Sequence, residues 1–308
     1  MNKSLILVTV ILLAFCQNSN AQFFNTADEL VYYTSEWTGE RFDDGRPKVA
    51  DEVLERMKKV SIEEAWGVLR SKGYHTQFEG NWVTIHDDQP VVGRALTAQY
   101  MPRRHEVMDR LTEKGHELGR VGAMNSWPID ALQQGDVYVA DGFGKVVDGT
   151  LIGDNLGNAI YANSGNGVVF DGGSRDMEGL GKIEGFNAFV KGFDPSYLTE
   201  SMLMGINVPI RIGRATVFPG DVVLAKKTGV LFIPAHLAEE VVDRAEFIML
   251  RDMFGIGMLK KGIYTPGQID GQWSEEIKEA FLKWVENNPN ELPMSKAALD
   301  EYLKDRTW

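Results

Sequence analysis

The pattern of hydrophobic and polar positions changes twice along the chain. Residues 22–77 are largely polar, with apolar residues at helical spacing, and Ser61 with Glu64 forms the sequence signature of a capping box. Between residues 82 and 233, short apolar runs alternate with turns rich in glycine and proline, which is typical of β-strands. Helical spacing returns after Pro234, which can open a helix. The pattern therefore predicts a β-rich centre between two helical ends.

The central region predicts an α/β fold. Residues 154–164 have the length of a short helix and lie between two expected strands, so we expect a right-handed crossover joining parallel neighbours. Gly93 marks a bulge or a close backbone approach. A long helix is expected from residue 235 to about residue 253, and two amphipathic helices in 273–308. The expected strands are 82–85, 91–100, 136–141, 167–171, 208–212, 221–225 and 230–233.

The first residues have the order of a secretory signal peptide. Lys3 precedes an apolar run over residues 5–16, and the small residues Ser19 and Ala21 suit a signal peptidase. The run is shorter than the ~20 residues that a membrane-spanning helix needs. We therefore predict a signal peptide over residues 1–21 and a periplasmic or secreted mature protein, with no membrane attachment after cleavage.

Two alternatives for this end of the chain stay open. The apolar run could remain attached as a membrane anchor, or Cys16 could be lipidated. The bulky Phe15 argues against lipidation, because such sites usually have a small residue at that position. Cleavage after Ala21 would remove the only cysteine, so we expect no disulfide in the mature chain.

The charge balance is acidic, with 44 Asp and Glu residues against 32 Lys and Arg residues. The sequence has no basic stripe, and binding to a phosphate backbone needs clustered Lys and Arg. We therefore expect no nucleic-acid partner.

Candidate chemistry is concentrated between residues 136 and 176. Asp154 opens the expected crossover helix, whose first backbone amides suit an anion such as a carboxylate. Arg175 and Asp176 follow the next strand, where a guanidinium can hold an anion and a carboxylate can hold a hard cation such as Mg²⁺. The alternative for each residue alone is a turn-forming Asp or a surface ion pair. The acidic residues beside glycines or at strand ends are Asp141, Asp148, Asp154, Asp171 and Asp176.

The spacing of three of these residues resembles a family signature. Asp154, twenty intervening residues and then Arg175-Asp176 resemble the D-x20-R-D motif in the aldolase branch of the RraA-like family. The resemblance extends in order over about residues 60–245. The segments that carry it are 92–98, 135–142, 170–176, 207–210, 217–223 and 229–234.

The resemblance implies the architecture of the chain. It implies an RraA-like swivelling β/β/α-type domain over residues 60–245. The remainder would form an N-terminal helical extension over 22–59 and a C-terminal helical extension over 246–308. It also implies a homotrimer or homohexamer with its site at a subunit boundary.

The resemblance further implies a divalent-metal-dependent lyase acting on a 2-oxo acid. Such an enzyme splits 4-hydroxy-2-oxo acids, or decarboxylates oxaloacetate, through a pyruvate enolate. Asp176 would hold Mg²⁺ or Mn²⁺, partly through water, and Arg175 would bind the pyruvyl oxygen and stabilise the enolate. Asp154 would orient or deprotonate a metal-bound water. The substrate carboxylate would lie against Gly153 and the amides of Asn155 and Leu156.

Two other functions stay open, together with one further site residue. The chain could be a non-catalytic regulatory protein like the family's ribonuclease E regulators, although these typically lack the carboxylate that Asp176 supplies. The expected export also argues against that role, since ribonuclease E is cytoplasmic. Alternatively, the same metal–enolate site could act on another exported, sugar-derived acid. Asp252 lies near the place from which family aldolases often supply an acidic residue to a neighbouring subunit.

Overall fold

The computed structural model describes residues 25–289, 292, 294 and 296–304. The expected signal peptide, residues 1–21, and Cys16 within it lie outside the described residues. Within the described part of the chain, no helix combines the length and the hydropathy needed to cross a membrane.

A mixed sheet forms the centre of the molecule. Its strand order is β1-β11-β10-β3-β4-β5-β6-β2, and β7 pairs with the outer half of β3. Strands β3 to β6 run parallel to one another, and the other pairs are antiparallel. β8 and β9 form a separate hairpin. The strands are β1 (Phe78–Glu79), β2 (Val83–Thr84), β3 (Val91–Pro102), β4 (Asp136–Asp141), β5 (Val168–Ser174), β6 (Ala188–Phe193), β7 (Ser201–Ile206), β8 (Ile210–Ile212), β9 (Ala215–Val217), β10 (Val222–Lys226) and β11 (Gly229–Ile233).

Helices precede, interrupt and follow this sheet. Thr26 and Ser61 cap α1 and α3 with complete capping boxes, as the Ser61–Glu64 spacing predicts. The helices are α1 (Ala27–Tyr33), α2 (Asp51–Met57), α3 (Ile62–Ser71), α4 (His105–Glu117), α5 (Asp154–Ser164), α6 (Met177–Leu180), α7 (Ala238–Lys260), α8 (Pro266–Ile269), α9 (Glu275–Asn287) and α10 (Lys296–Lys304).

Alternating side chains on the parallel strands build two cores. Tyr138 and Phe170 belong to the core that also contains Ile160 of α5. Val139 and Val169 point to the opposite face and pack in the core that includes the β8–β9 hairpin. Because both faces are covered, these strands are apolar throughout rather than alternating with polar residues.

The terminal regions attach to this centre in different ways. α2 and α3 pack with α7 and the β10–β11 edge in a third core. The second half of α7 instead packs with α9 around Phe254 and Phe281, in a core of its own. The C-terminal helices therefore gather around the extended end of α7.

The central expectations about elements are confirmed. α5 joins the parallel strands β4 and β5 and covers residues 154–164, as predicted. Gly93 makes a close approach, since a β-carbon there would overlap the carbonyl oxygen of Gly135. The sheet irregularity on β3 falls elsewhere, between Gln99 and Tyr100.

Other expectations need correction. The sequence pattern gave no prediction for β6, β7, β9 or α4, although all four are formed. The strand expected over 82–85 is only the two-residue β2. The long helix begins later, at Ala238, after a 3₁₀ turn, and continues to Lys260 because Leu250 and Phe254 are buried by the C-terminal helices.

Candidate functional site

A short extended segment before α5 brings the site residues together. Thr150 forms a parallel bridge with Gly173, and the Leu151 amide donates to the Gly173 carbonyl at 2.9 Å. The Ile152 carbonyl then accepts the Arg175 amide at 3.0 Å and the Ser174 hydroxyl at 3.1 Å. The start of α5 is therefore fastened to the carboxyl end of β5, although twenty residues separate Asp154 from Arg175.

Gly153 provides the space in which two of the predicted residues meet. A β-carbon on Gly153 would overlap Asp176 Oδ2 and would lie 3.0 Å from Arg175 Nε. Arg175 Nε and Asp176 Oδ2 are themselves 3.6 Å apart. Glycine is therefore required at the N-cap of α5 for the guanidinium and the carboxylate to lie against the helix N-terminus.

Asp176 has an unusual backbone conformation. Its φ of 57° lies in the left-handed region, which costs energy for residues other than glycine but is tolerated best by Asp and Asn. Its side chain is 37% exposed, so the carboxylate faces solvent rather than the core. This conformation separates β5 from α6 and turns the carboxylate towards Gly153.

The first turn of α5 offers amide donors. The first helical bond runs from the Gly157 amide to the Gly153 carbonyl, so the three preceding amides have no acceptor within the helix. The Asn155 amide donates to Asp154 Oδ1 at 2.8 Å, so a bound carboxylate would have to displace that bond to use it. The Asp154 carboxylate also lies against α6, where a β-carbon on Gly179 would be 2.7 Å from its Oδ2.

These residues line a cleft of about 90 Å³. Gly153, Asn155, Leu156 and Arg175 all contribute to it. Asp154 and Asp176 lie at its edge rather than among its lining residues. Four of the six predicted site residues therefore line one small cleft, and Asp154 and Asp176 are their immediate neighbours in the chain.

The cleft also contains residues that were not predicted from the sequence. The guanidinium of Arg175 lies over the ring of Tyr197, 4.6 Å from its centroid. Asn125 reaches the cleft from the long segment after α4 and donates to the Leu151 carbonyl at 2.8 Å. Asn125 lies in a 3₁₀ turn and Tyr197 in a loop, neither with a periodic sequence pattern, so only the fold shows that they contribute. The remaining lining residues are Thr150, Leu151, Ile152 and Leu198.

The other acidic residues between 136 and 176 have local roles. Asp141 accepts the Phe143 amide at 2.9 Å and the Gln99 side chain at 3.1 Å. Asp171 lies 4.0 Å from the Lys191 ammonium, and burial raises the pKa of its carboxyl. The Asp148 amide donates to Ser196 Oγ at 2.7 Å. The glycine-rich turns around these residues are thus held by ordinary turn and ion-pair contacts.

The donor set suits a hydrated divalent cation. Within the described residues, no three His, Cys, Asp or Glu side chains are grouped closely enough to enclose a metal. Mg²⁺ usually keeps several water ligands and is held by one or two carboxylates together with the substrate. The exposed Asp176 carboxylate, for which Gly153 leaves room, fits that mode of binding.

Known proteins are similar to this chain over its β-rich centre. A profile of the RraA-like family, described as Aldolase/RraA, matches residues 47–232. Protein DlpA from Legionella pneumophila is 29% identical over 163 residues, which are 53% of this chain but only 24% of DlpA. A Halalkalibacterium halodurans protein named "putative 4-hydroxy-4-methyl-2-oxoglutarate aldolase" is 30% identical over 162 residues, 53% of this chain and 68% of that protein.

A solved structure shows the same fold. The Streptomyces coelicolor protein RraAS2, described as an unusual member of the RNase ES inhibitor RraA family, superposes with a TM-score of 0.58 at 25% identity. The match covers 68% of this chain and 98% of that protein. The α/β fold, the ordered sequence segments and the profile match together show that this chain belongs to the RraA-like family.

Proposed function

We propose that this protein is a divalent-metal-dependent lyase that cleaves a 2-oxo acid through a pyruvate enolate. The reaction would be retro-aldol cleavage of a 4-hydroxy-2-oxo acid or decarboxylation of oxaloacetate. The observation that carries the proposal is the meeting of Arg175 and Asp176 with the N-terminus of α5 at Gly153. Relatives named as aldolases support the reaction class.

Different residues of the cleft would bind different groups of such a substrate. The amides at the start of α5 would hold its carboxylate, which would displace Asp154 Oδ1 from the Asn155 amide, because they carry the positive end of the helix dipole. The Arg175 guanidinium would bind the 2-oxo oxygen and stabilise the negative charge that develops there. The Tyr197 ring beneath that guanidinium keeps it in place.

Retro-aldol cleavage needs a group that accepts a proton, and both proposed reactions need a group that stabilises an oxyanion. In the retro-aldol reaction the C3–C4 bond breaks as the 4-hydroxyl loses its proton, and the bond electrons form the enolate of pyruvate. Asp154, beside the helix N-terminus, would take that proton directly or through water. In oxaloacetate the same bond breaks with loss of carbon dioxide and no proton is removed, so Arg175 would serve both reactions at the same oxygen. In both reactions the C3 carbon of the enolate then takes a proton from water to give pyruvate.

Asp176 would hold Mg²⁺ or Mn²⁺, with Gly153 leaving the necessary room. The bound cation would supply Lewis-acid stabilisation of negative charge on the substrate oxygens. The low number of protein ligands means that water and substrate would complete the coordination, so metal affinity should be moderate and sensitive to chelators.

A second candidate function is non-catalytic binding. It is favoured by the similarity to RraAS2, a protein described within a family of RNase inhibitors. A regulator needs no cation site, so the exposed carboxylate of Asp176 and the glycine that makes room for it favour the enzyme. A third candidate is a metal–enolate enzyme that acts on a sugar-derived acid. Screening such acids as substrates would distinguish it from the pyruvate-forming lyase.

The test couples pyruvate formation to a reductase, using oxaloacetate and 4-hydroxy-2-oxo acids with Mg²⁺ or Mn²⁺. We expect activity that EDTA abolishes. Asp176→Asn tolerates the left-handed backbone and should remove both Mn²⁺ binding, measured by electron paramagnetic resonance, and nearly all turnover. Asp148→Asn, at another Asp with positive φ outside the cleft lining, is the matched control and should bind Mn²⁺ normally.

Two further variants separate the proposed roles. Arg175→Ala should keep Mn²⁺ binding and lose roughly 3–4 kcal/mol of transition-state stabilisation, as for one oxyanion donor. Asp154→Asn should lower retro-aldol turnover of 4-hydroxy-2-oxo acids by about 100- to 10,000-fold with a smaller effect on substrate binding. A wild-type protein that makes no pyruvate from any of these acids, or a fully active Arg175→Ala variant, would refute the lyase assignment.

A further inference from the structure

A second cavity lies at the opposite end of the parallel strands from the cleft. Its volume is about 370 Å³, within the size range of small-molecule sites. Its walls include Phe218 and Asp221, directly before β10, and His236, directly after β11. Val222 pairs with Arg94 near the start of β3, so this cavity lies at the amino ends of the parallel strands. Arg175 and Asp176 instead follow the carboxyl end of β5.

The N-terminal extension builds one wall of this cavity. Tyr33 and Trp37 line it together with Phe218 and Tyr74, and the Tyr33 and Phe218 rings pack against each other with centroids 5.9 Å apart. The Trp37 indole N–H is satisfied by the Glu40 carbonyl at 2.8 Å, so the indole offers a ligand its π system rather than a donor. Four aromatic side chains thus contribute to the lining of the cavity.

This wall is held in place by internal bonds. Arg41 donates to the carbonyls of Thr34, Trp37 and Gly45 at 2.8, 3.0 and 2.9 Å. The same guanidinium donates to the Thr34 hydroxyl at 2.7 Å. The loop that carries Trp37 is therefore fixed before any ligand arrives, which lowers the entropy cost of binding.

The polar groups of the cavity exclude one class of ligand. Among the described residues that line it, none is lysine or arginine, while Glu36 and Asp221 are carboxylic acids. Burial lowers the pKa of His236, which keeps its imidazole neutral near pH 7. An anion, including the oxo acid proposed for the cleft, would find no positive partner here, whereas a cation would find the exposed Glu36 carboxylate and aromatic side chains.

We propose that this cavity binds a small organic cation, carrying an ammonium or trimethylammonium group, against its aromatic lining of Tyr33, Trp37, Tyr74 and Phe218. A cation over aromatic faces is attracted by their quadrupoles, and the attraction grows when the site is desolvated. Glu36 and the net charge of −12 add a longer-range attraction. The proposal does not depend on the lyase activity, because it concerns a different end of the sheet.

The experiment uses choline and its neutral isostere 3,3-dimethyl-1-butanol as probes, measured by isothermal titration calorimetry on the full chain. The two molecules have the same shape, so their difference reports the charge. We expect saturable choline binding, tighter than the alcohol by about tenfold. Glu36→Gln should weaken choline binding and leave the alcohol unchanged. Glu113→Gln, which removes an equal charge from exposed α4, should change neither.

Variants of the aromatic wall locate the site. Trp37→Ala and Tyr33→Ala should each weaken choline binding by about tenfold. Tyr32→Ala, on the neighbouring and 77% exposed ring outside the cavity lining, should not. Thermal unfolding is recorded for each protein. If Trp37→Ala unfolds, Trp37→Leu keeps an apolar side chain without the π face and should still lose choline.

Several outcomes would overturn the proposal. Equal affinity for choline and the alcohol would mean an apolar pocket without cation recognition. Absence of saturable choline binding would mean that the cavity is not a cation site. Choline binding that Trp37→Leu leaves intact would mean the same. Dissociation of an oligomer by Trp37→Ala, seen by light scattering without any choline effect, would assign the surface to contacts between copies of the chain.

Discussion

Gly153 at the N-cap of α5 leaves the space occupied by the Asp176 carboxylate. In Gly153→Ala, the added methyl group would overlap Asp176 Oδ2 and press on Arg175 Nε, although the extended backbone of Gly153 suits alanine. We expect Mn²⁺ affinity and turnover to fall by about 10- to 100-fold, as when a residue supporting a metal ligand is changed. Mn²⁺ titration followed by paramagnetic resonance checks the affinity.

The matched control for this substitution is Gly257→Ala on α7. A β-carbon there has no atom within 4 Å, so this change should leave Mn²⁺ affinity at the wild-type level. Equal affinity in Gly153→Ala and Gly257→Ala would show that the cation does not bind beside Gly153.

Tyr197 supports Arg175 through its ring rather than its hydroxyl. Tyr197→Phe keeps the ring 4.6 Å from the guanidinium carbon and should retain activity. Tyr197→Leu should lower kcat/KM roughly two- to fivefold, the usual range for an exposed cation–π contact. Steady-state kinetics of both variants decide the matter, and an equal loss in Tyr197→Phe would point to the hydroxyl instead.

At the scale of elements, a buried ion pair connects the N-terminal extension to the sheet. Arg46 Nη1 lies 3.0 Å from Asp136 Oδ2 at the start of β4, and both side chains are fully buried. Arg46 Nε also donates to Asp44 at 2.7 Å. Burial raises the pKa of the Asp136 carboxyl, and Arg46 opposes that rise.

Removing one partner of this pair should be costly. Arg46→Met would leave the Asp136 carboxylate buried without its closest cation, and we expect the free energy of unfolding to fall by about 3–5 kcal/mol. Urea denaturation measures the change. In the double variant with Asp136→Asn the loss should be smaller than the sum of the two single losses, because the two residues interact directly. Additive losses would contradict the coupling.

Local sequence signals predicted those elements that depend on neighbouring residues. The capping box at Ser61 and Glu64 forms with bonds of 2.9 and 3.1 Å, and α5 has the predicted bounds. β6, β7 and α4 were not predicted, although they are regular elements. β7 pairs with the far half of β3, a contact that no local pattern specifies.

For the whole molecule, Asp221 makes stability depend on pH. Burial raises the pKa of this carboxyl from its ordinary 3.8 to about 7. Between pH 3.8 and about 7, the Asp221 carboxyl is therefore protonated in the native protein and ionised in the unfolded chain. The stability from Asp221 is complete below about pH 4 and is lost as the pH rises towards 7, by at most about 1.4 kcal/mol per pH unit.

Comparison with Asp221→Asn isolates this effect from the other titrating groups. Asparagine can still accept the Phe218 amide, whose bond to Asp221 Oδ2 is 2.8 Å long, but it does not titrate. Urea denaturation at pH 5, 6 and 7 should show a smaller decrease in stability for the variant. Parallel pH profiles for the two proteins would contradict the raised pKa.

The family resemblance also predicts how subunits assemble. We expect a homotrimer or homohexamer, because a site completed by a neighbour requires a closed ring. Asp252 is exposed on α7 and is our candidate for the neighbour's acidic residue. Light scattering measures the mass. If Asp176→Asn and Asp252→Asn are each inactive, mixed assemblies should regain part of the activity, whereas a monomer at micromolar concentration would contradict a shared site.

The sequence by itself determined the family, the crossover between parallel strands and the choice of candidate site residues. These features depend on spacing and on local propensity, so Asp154, Arg175 and Asp176 could be selected before the fold was known. Only the tertiary structure decided that Gly153 must lack a side chain, that Tyr197 supports Arg175, and that Trp37 and Phe218 face one cavity. Such contacts join residues that are distant in sequence, and the packing of the whole chain determines which of them meet.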